Sequence, residues 1–257
     1  MTEMETVRVA SDDYDAAHAG AHASPLMRRL WSEAMGDQYP AEVEPFSSCS
    51  WWLLGHVVAA LRLRPGGRLV DLGCGRGGAG LWLARALCVH LVGIDFSAVA
   101  VELARQRAGE FVSPERAEFR QGTFAQTGLP DECADGVVSV DALPFANDRV
   151  AALREARRIV VPGGRVVLTA RERPADTDDW PSMAAAADLD LEESLVNPYA
   201  DDFWPRLYAL WEAHEAELRS EVGERATDNL LREARTARPG QDGHRALLLV
   251  LRRPEDR

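Results

Sequence analysis

Val70-Asp71-Leu72-Gly73-Cys74-Gly75-Arg76-Gly77 is the stretch on which the reading of this chain turns. A short apolar strand, Leu69 to Leu72, runs into a turn with glycine at every second position, and Leu81 to Leu87 continues as a helix. Glycines between a strand and a helix let a ligand approach the backbone closely, because no Cβ intervenes. The helix start beyond them offers free N–H groups to an anionic moiety. Taken alone the pattern is weak, since any strand-to-helix turn in an α/β sheet can use glycine for packing.

Outward from the turn, strands and helices alternate. Leu91 to Ile94 reads as a second strand ending at Asp95, and Ser97 caps a helix over Ala98 to Ala108. Ala117 to Arg120 is a third strand and Val137 to Val140 a fourth. Asp148 caps a helix over Arg149 to Val160, which stops at Pro162-Gly163-Gly164, and Val166 to Thr169 is the fifth strand. Leu189 and Leu191 mark a sixth, and Ala246 to Leu251 the last. The expected fold class is therefore α/β: a Rossmann-like, mainly parallel seven-stranded sheet with helices on both faces. Ligands of such sheets sit beyond the carboxyl ends of the strands.

The flanks break this rhythm. Leu26, Met27, Leu30 and Trp31 form an amphipathic helix after Ser24-Pro25, and Trp51 to Leu63 another, ended by Arg64-Pro65-Gly66-Gly67. Trp204, Leu207, Tyr208, Trp211, His214 and Leu218 recur at helical spacing; Val222, Ala226 and Leu230 continue on a second helix, closed by Pro239-Gly240. The expected organisation is a single domain with a helical cap over 1–64, a ligand-binding core over 65–173, a sixth strand and helical lid over 174–243, and a last strand and tail over 244–257. The apolar helices serve either as a lid or as a contact between copies in a homo-oligomer.

Composition narrows the partners. The 257 residues carry 29 basic and 41 acidic side chains, a formal charge of −12. Such a chain suits neither phosphate-rich nucleic acid nor an anionic membrane surface. Met1 to Ala10 lacks a signal-peptide layout, and no apolar run approaches spanning length. Cys49, Cys74, Cys88 and Cys133 form no CxxC pair, so the expectation is reduced thiols in a cytoplasmic protein.

Three features sharpen the glycine turn. Asp71 stands before it, at the strand's end. Asp95 stands at the end of the next strand, about 20 residues on, where a carboxylate can accept both hydroxyls of a ribose. Val161-Pro162-Gly163-Gly164-Arg165-Val166 leads into the fifth strand. Together the set resembles class I methyltransferases dependent on S-adenosylmethionine (SAM), of the small-molecule kind. Val70 to Gly77 resembles their first motif, Gly93 to Ser97 their acidic second-strand motif, Ala134 to Leu143 their fourth-strand segment and Val161 to Thr169 their Pro-Gly-Gly motif.

The resemblance implies SAM as cofactor, with S-adenosylhomocysteine as product. It implies that Gly73, Cys74, Gly75 and Gly77 pass near its methionine part and ribose, and that Asp71 helps to hold its ammonium. It implies ribose contacts at Asp95, an adenine contact at Phe96 beside Ser97, and a place for Asp141 where cofactor and acceptor meet. Gln121-Gly122-Thr123-Phe124 aligns with a segment where many members carry Gly-Asp for the adenine amino group. Thr123 replaces that acid, leaving Phe124 to offer a backbone N–H. Tyr14-Asp15 resembles a Tyr-Asp pair of many relatives in which the tyrosine approaches the cofactor; Tyr39 is a further candidate.

Methyl transfer needs in-line positioning and exclusion of water. A base is required only where the acceptor must lose a proton. The candidates are His18, His22, His56, His214 and Tyr14, with no metal set evident. Trp52, Trp204, Tyr208 and Trp211, with Trp51, are either core or an apolar wall for the acceptor. Asn197-Pro198-Tyr199 resembles part of a motif of nucleic-acid amino-methyltransferases. It lies in the wrong place, since that motif follows the fourth strand, where this chain has Asp141-Ala142-Leu143-Pro144. The reading is a methyltransferase acting on an oxygen or nitrogen, with carbon open, of a small molecule. The rivals are a cyclase-like enzyme that holds SAM without methylating, a nicotinamide-dependent dehydrogenase and a non-catalytic SAM-binding regulator.

Overall fold

The computed structural model describes residues 14–22, 24–143, 146–172, 179–237 and 245–255. Met1 to Ala10, Pro144, Pro239-Gly240 and the ends of the expected lid lie outside them. A first helix, α1, covers residues 14–22. It is followed by α2 (Pro25–Met35), α3 (Trp51–Leu61), β1 (Arg68–Leu72), α4 (Gly78–Leu87), β2 (His90–Asp95), α5 (Ala98–Phe111), β3 (Ala117–Gln121) and β4 (Ala134–Ser139). Then come α6 (Arg149–Ile159), β5 (Val160–Glu172), α7 (Trp180–Ala186), β6 (Asp190–Val196), α8 (Ala200–Ala213), α9 (Glu215–Val222), α10 (Glu224–Ala237) and β7 (Arg245–Arg252).

Local chemistry sets the helix starts. Ser24, Ser50, Ser97 and Asp148 each accept an N–H of the first turn of α2, α3, α5 and α6, which satisfies a donor that has no partner inside the helix. Pro25 at the first position of α2 loses nothing, because its missing N–H would have been one of those donors.

The seven strands run in the order β3-β2-β1-β4-β5-β7-β6. Pairs β1·β2, β2·β3, β1·β4 and β4·β5 are parallel, whereas β7 is antiparallel to both β5 and β6. The sheet is thus mixed, with one reversed strand slotted between two others. Pro162-Gly163-Gly164 does not precede β5 but forms an irregularity within it: Ala134 pairs with Val160 and Gly136 already with Arg165. Gly163, at φ +76°, absorbs the extra residues.

Three apolar cores fill the molecule. α3, α4 and α5 pack on one face of the sheet through Leu53, Val57, Leu81 and Val101. α6 and α7 pack on the other through Leu153, Ala156, Trp180 and Ala184. The third core lies off the sheet, where α2 meets α8, α9 and α10 through Met27, Leu30, Trp31, Leu207, Tyr208, Trp211, Leu218 and Leu231. The Ser24 hydroxyl donates to Glu221 at 2.6 Å across this seam. Helices from both flanks therefore build one cap, while α3 joins the sheet. No helix among the described residues is long and apolar enough to cross a membrane.

Candidate active site

Strand order reverses at β1, which has β2 on one side and β4 on the other. The crevice beyond the carboxyl ends of β1 and β4 is the place where open α/β sheets bind ligands. The glycine turn lies there. The N–H groups of Gly73 and Cys74 both donate to the carbonyl of Ile94, at 2.8 and 3.0 Å, stitching the turn to the end of β2. Gly73 has φ +74°, and a Cβ there would lie 2.2 Å from the Cβ of Ala142, just past β4. Only glycine lets the two strand ends approach so closely.

Asp95 braces the turn from the side. Its Oδ2 accepts the N–H of Gly75 at 2.8 Å, and its Oδ1 that of Ser97 at 2.9 Å. Burial raises its carboxyl above the usual range, while these two N–H groups pull the other way. Asp71 is buried at the end of β1; burial above all, then the charge of Asp95, pushes its carboxyl up to about 7, against the Gly80 N–H. It is a carboxylate short of a cation.

Beside the turn lies positive charge. Arg76 donates to the carbonyl of Glu44, and Arg107 to those of Glu42 and Val43, each at 3.2 Å. Burial lowers Arg76 to about 10, and Nη1 of Arg107 is buried without a partner. The residues from Pro40 to Ser50 cross the site as a strap. Asp141, at φ +52°, fastens it: its Oδ2 accepts the Ser48 N–H at 2.5 Å, and its Oδ1 accepts the Thr169 hydroxyl at 3.0 Å. The Asp141 N–H in turn donates to Oγ1 of Thr169 at 2.7 Å.

One cavity of about 760 Å³ joins these groups to the helical cap. Its sheet end holds Asp71, Gly73, Cys74, Gly75, Asp95, Phe96, Phe124 and Asp141. Its cap end holds Trp31, Arg171, Trp204, Tyr208, Trp211 and Glu233. Over the sheet end lies α1. Asp15 takes the Ser97 hydroxyl, fixing α1 to the start of α5. Tyr14 sets its ring edge-on to Phe96 at 5.4 Å. His18 lines the cavity and is buried, with Nδ1 unpartnered; burial, then Arg76, lowers it to about 3, so the ring is neutral.

Not every expected site residue reaches the cavity. Ser97 is occupied as the α5 cap. Gly77, at φ +76°, packs toward Ala104 and Phe119 and belongs to the turn's support. Thr123 is exposed and pairs with Gln126 in a tight turn, so only Phe124 of that segment faces the cavity. Tyr39 is half-buried against the cap core. Trp52 is corrected from acceptor wall to scaffold: α3 packs on the sheet, and the ring lies on His56 at 4.1 Å. His214 sits at the α8–α9 junction with Nδ1 2.7 Å from Glu217, away from the cavity. His22 and His56 do not line the cavity either. Sequence reasoning missed Arg76, Arg107, Arg171 and Glu233, because charged residues on helices and strand ends ordinarily read as solvated.

Residues 70–168 match the family model described as a methyltransferase domain. Over that stretch the chain is similar to class I SAM-dependent methyltransferases. Among its relatives, 27-O-demethylrifamycin SV methyltransferase of Amycolatopsis mediterranei is 32% identical over 56% of this chain and 53% of its own length. Phosphoethanolamine N-methyltransferase 1 of Arabidopsis thaliana is 33% identical over 44% of this chain and 22% of its own length. The chain thus spans about half or less of these curated relatives. In fold it is similar to the [4+2]-cyclase SpnF, with a TM-score of 0.75, 22% identity and 96% of each chain covered. Phosphoethanolamine N-methyltransferase 2 of Haemonchus contortus, solved with SAM, has a TM-score of 0.66 at 16% identity, covering 89% of this chain and 57% of its own.

The groups present fit the family's cofactor. SAM carries an ammonium, a carboxylate, a ribose and an adenine. Asp71 is a buried carboxylate without a cation, and Arg107 has an orphaned donor. Asp95 keeps further lone pairs beyond its two N–H bonds, and Phe96 and Phe124 offer apolar faces within the same cavity.

Proposed function

We propose that this protein transfers the methyl group of SAM to a small-molecule acceptor bound at the cap end of the cavity. The observation that carries this reading is the continuity of that cavity. The glycine turn, Asp71 and Asp95 at one end share it with the aromatic wall of Trp31, Trp204, Tyr208 and Trp211 at the other.

In this reading Asp71 holds the ammonium, Arg107 and Arg76 face the carboxylate, and Asp95 takes the ribose hydroxyls. Phe96 and Phe124 flank the adenine. Tyr14 and His18 close α1 over the cofactor. Bound there, SAM supplies a methyl group on a positively charged sulfur, an excellent leaving group. The protein has to align the acceptor in line with the methyl–sulfur bond and keep water out. The strap pinned by Ser48 and Asp141 and the helical cap supply that enclosure. The acceptor is a compound with an apolar body, matched to indole and phenol faces. The protein's negative charge sets it against nucleic acid as a target.

Calorimetry with SAM and with S-adenosylhomocysteine tests the cofactor assignment, and binding of neither ends it. A second reading, a non-methylating enzyme such as a cyclase, draws support from a fold similarity to the [4+2]-cyclase that extends over the cap as well as the sheet. Mass spectrometry of reacted acceptor separates the two, because only methylation adds a methyl group.

A further inference from the structure

Glu233 stands on α10 in the wall of the cavity. A charged residue on the outer part of an amphipathic helix ordinarily faces bulk water alone, whereas this solvent-accessible one also lines the cavity. Its Oε1 accepts the Tyr208 hydroxyl at 3.1 Å, and among the described residues no hydrogen bond occupies Oε2. Arg171, from β5, lies over the face of Trp204 with its guanidinium 4.9 Å from the ring centroid, and its charge acts on Glu233 and Tyr208 alike. The field of Glu233 reaches Tyr14 on the cofactor side, and that of Asp141 reaches Glu233 from the end of β4. Glu233 thus belongs to the cap end of the cavity and is felt electrostatically at its sheet end.

Of the other titratable groups lining the cavity, Asp71 is given to the cofactor ammonium, Glu44 pairs with Arg28 at 3.9 Å, burial raises Cys49 and Cys74, and the rest are engaged or unsuited to taking a proton. Asp141 spends both oxygens on Ser48 and Thr169. Asp95 braces the glycine turn. His18 is a very weak base, and Tyr14, raised by burial, holds its proton. Burial, partly offset by Tyr208 and Arg171, places the Glu233 carboxyl above the usual carboxylate range, toward the strength a general base needs near neutrality.

We propose that Glu233 is the general base for a hydroxyl acceptor, an alcohol or phenol whose oxygen takes the methyl group. The proposal rests on the methyl-transfer reading above and adds the acceptor atom to it. In the step, a lone pair of the acceptor oxygen forms the bond to the methyl carbon. The methyl–sulfur bond breaks with its electron pair left on sulfur, and the hydroxyl proton passes to Oε2 of Glu233. Tyr208 is a positioning residue that holds the carboxylate through Oε1. Arg171 tells against an amine acceptor: an amine enters near neutrality as its ammonium form and must shed a proton before attack, and the charge of Arg171, which acts on Glu233, disfavours a second cation there, whereas a neutral hydroxyl meets no such cost.

The full chain is incubated with SAM and a panel of neutral phenols and alcohols, including 4-nitrophenol, alongside primary amines such as benzylamine. Mass spectrometry then locates any methyl gained. The expected result is methylation of a hydroxyl oxygen. Glu233→Gln should lower kcat about 100-fold or more with KM little changed, and should abolish the loss of rate on the acidic side of the pH profile. Glu233→Asp should recover part of the rate, and Tyr208→Phe should lose less than Glu233→Gln. Independently of turnover, 4-nitrophenol is titrated by absorbance into chain loaded with S-adenosylhomocysteine. Wild type should favour the protonated phenol, and Glu233→Gln should lose that preference. A methyl on nitrogen or carbon overturns the proposal. So does a Glu233→Gln rate within about threefold of wild type, or a panel with no hydroxyl methylated while S-adenosylhomocysteine binds normally. Failure of S-adenosylhomocysteine to bind wild type would instead sink the methyl-transfer reading itself.

Discussion

Asp95 and Gly75 are joined by a 2.8 Å hydrogen bond from the glycine N–H to Oδ2 of the carboxylate. The same side chain takes the Ser97 N–H on its other oxygen, so one residue fixes two turns that face the cofactor end of the cavity. Asp95→Asn keeps the size but leaves one N–H without an acceptor. Hydrogen bonds to charged groups contribute about 1.5–3 kcal/mol. Asp95→Asn should therefore lower stability by about that amount and weaken S-adenosylhomocysteine binding by about 10-fold or more. Calorimetry and denaturant unfolding measure both; unchanged affinity would remove Asp95 from the cofactor site.

Gly73→Ala should be worse than an ordinary glycine substitution. The new methyl would sit 2.2 Å from Ala142 and force a side chain into φ +74°. The expected cost is about 1–3 kcal/mol, with cofactor affinity lost as β1 and β4 are pushed apart. Adding Ala142→Gly relieves the collision but not the dihedral strain, so the double variant should recover only in part. Full recovery would show that contact alone mattered; no recovery would show that the Ala142 contact did not.

Asp71 gives a pH dependence of definite sign. Its carboxyl stands at about 7 in the fold against an ordinary 3.8. The folded state thus holds this proton more tightly than the unfolded one. The stabilisation is complete below the ordinary value and is lost as pH rises through about 7. Unfolding in urea should show ligand-free wild type losing stability from about pH 4 to about pH 7 relative to Asp71→Asn, with no further loss above that. An ammonium bound beside Asp71 favours the ionised form, so affinity for S-adenosylhomocysteine should rise over the same interval in wild type and stay flat in the variant. Parallel curves for the two proteins would refute both statements.

The two tryptophans of the cap wall should part company. Trp211 is fully buried in the cap core, and Trp211→Ala should cost about 3–5 kcal/mol. Trp204 is only half-buried and gives one face to Arg171. Trp204→Ala should cost less than about 2 kcal/mol, near the range for losing a cation–π contact and partial burial. Equal losses in denaturant unfolding would contradict the placement of Trp204 at the cavity.

What could be read in the sequence was whatever a residue's own strand fixes. Asp71 and Asp95 end apolar strands, so their place at the carboxyl edge follows from the backbone alone, and the glycines between them follow from the tight turn. Neighbour order does not follow in that way. Nothing within Ala246 to Leu251 says that this strand runs backwards between two others, because pairing partners are chosen by distant contacts. Periodicity likewise shows which side of a helix is apolar and not what lies opposite. Trp52 and Trp204 look alike in sequence, yet one packs on the sheet and the other walls the cavity. α7 went unread because Trp180 to Ala186 is too short to show a period. Glu233 was invisible for a related reason, since only the folded cap places this carboxylate on the cavity wall.

The cap seam joins Ser24 to Glu221, 197 positions apart. During synthesis α2 leaves the ribosome long before α8, α9 and α10, and Met27, Leu30 and Trp31 stay without their partners on those helices until most of the chain has been made. Strands β1 to β5 can assemble in that interval, since their contacts are nearer in sequence. The glycine turn would then stand formed and open before its cover arrives. A nascent chain halted before α8 would present an unroofed cofactor crevice and an exposed indole, a species suited to capture by a chaperone or by the cofactor itself.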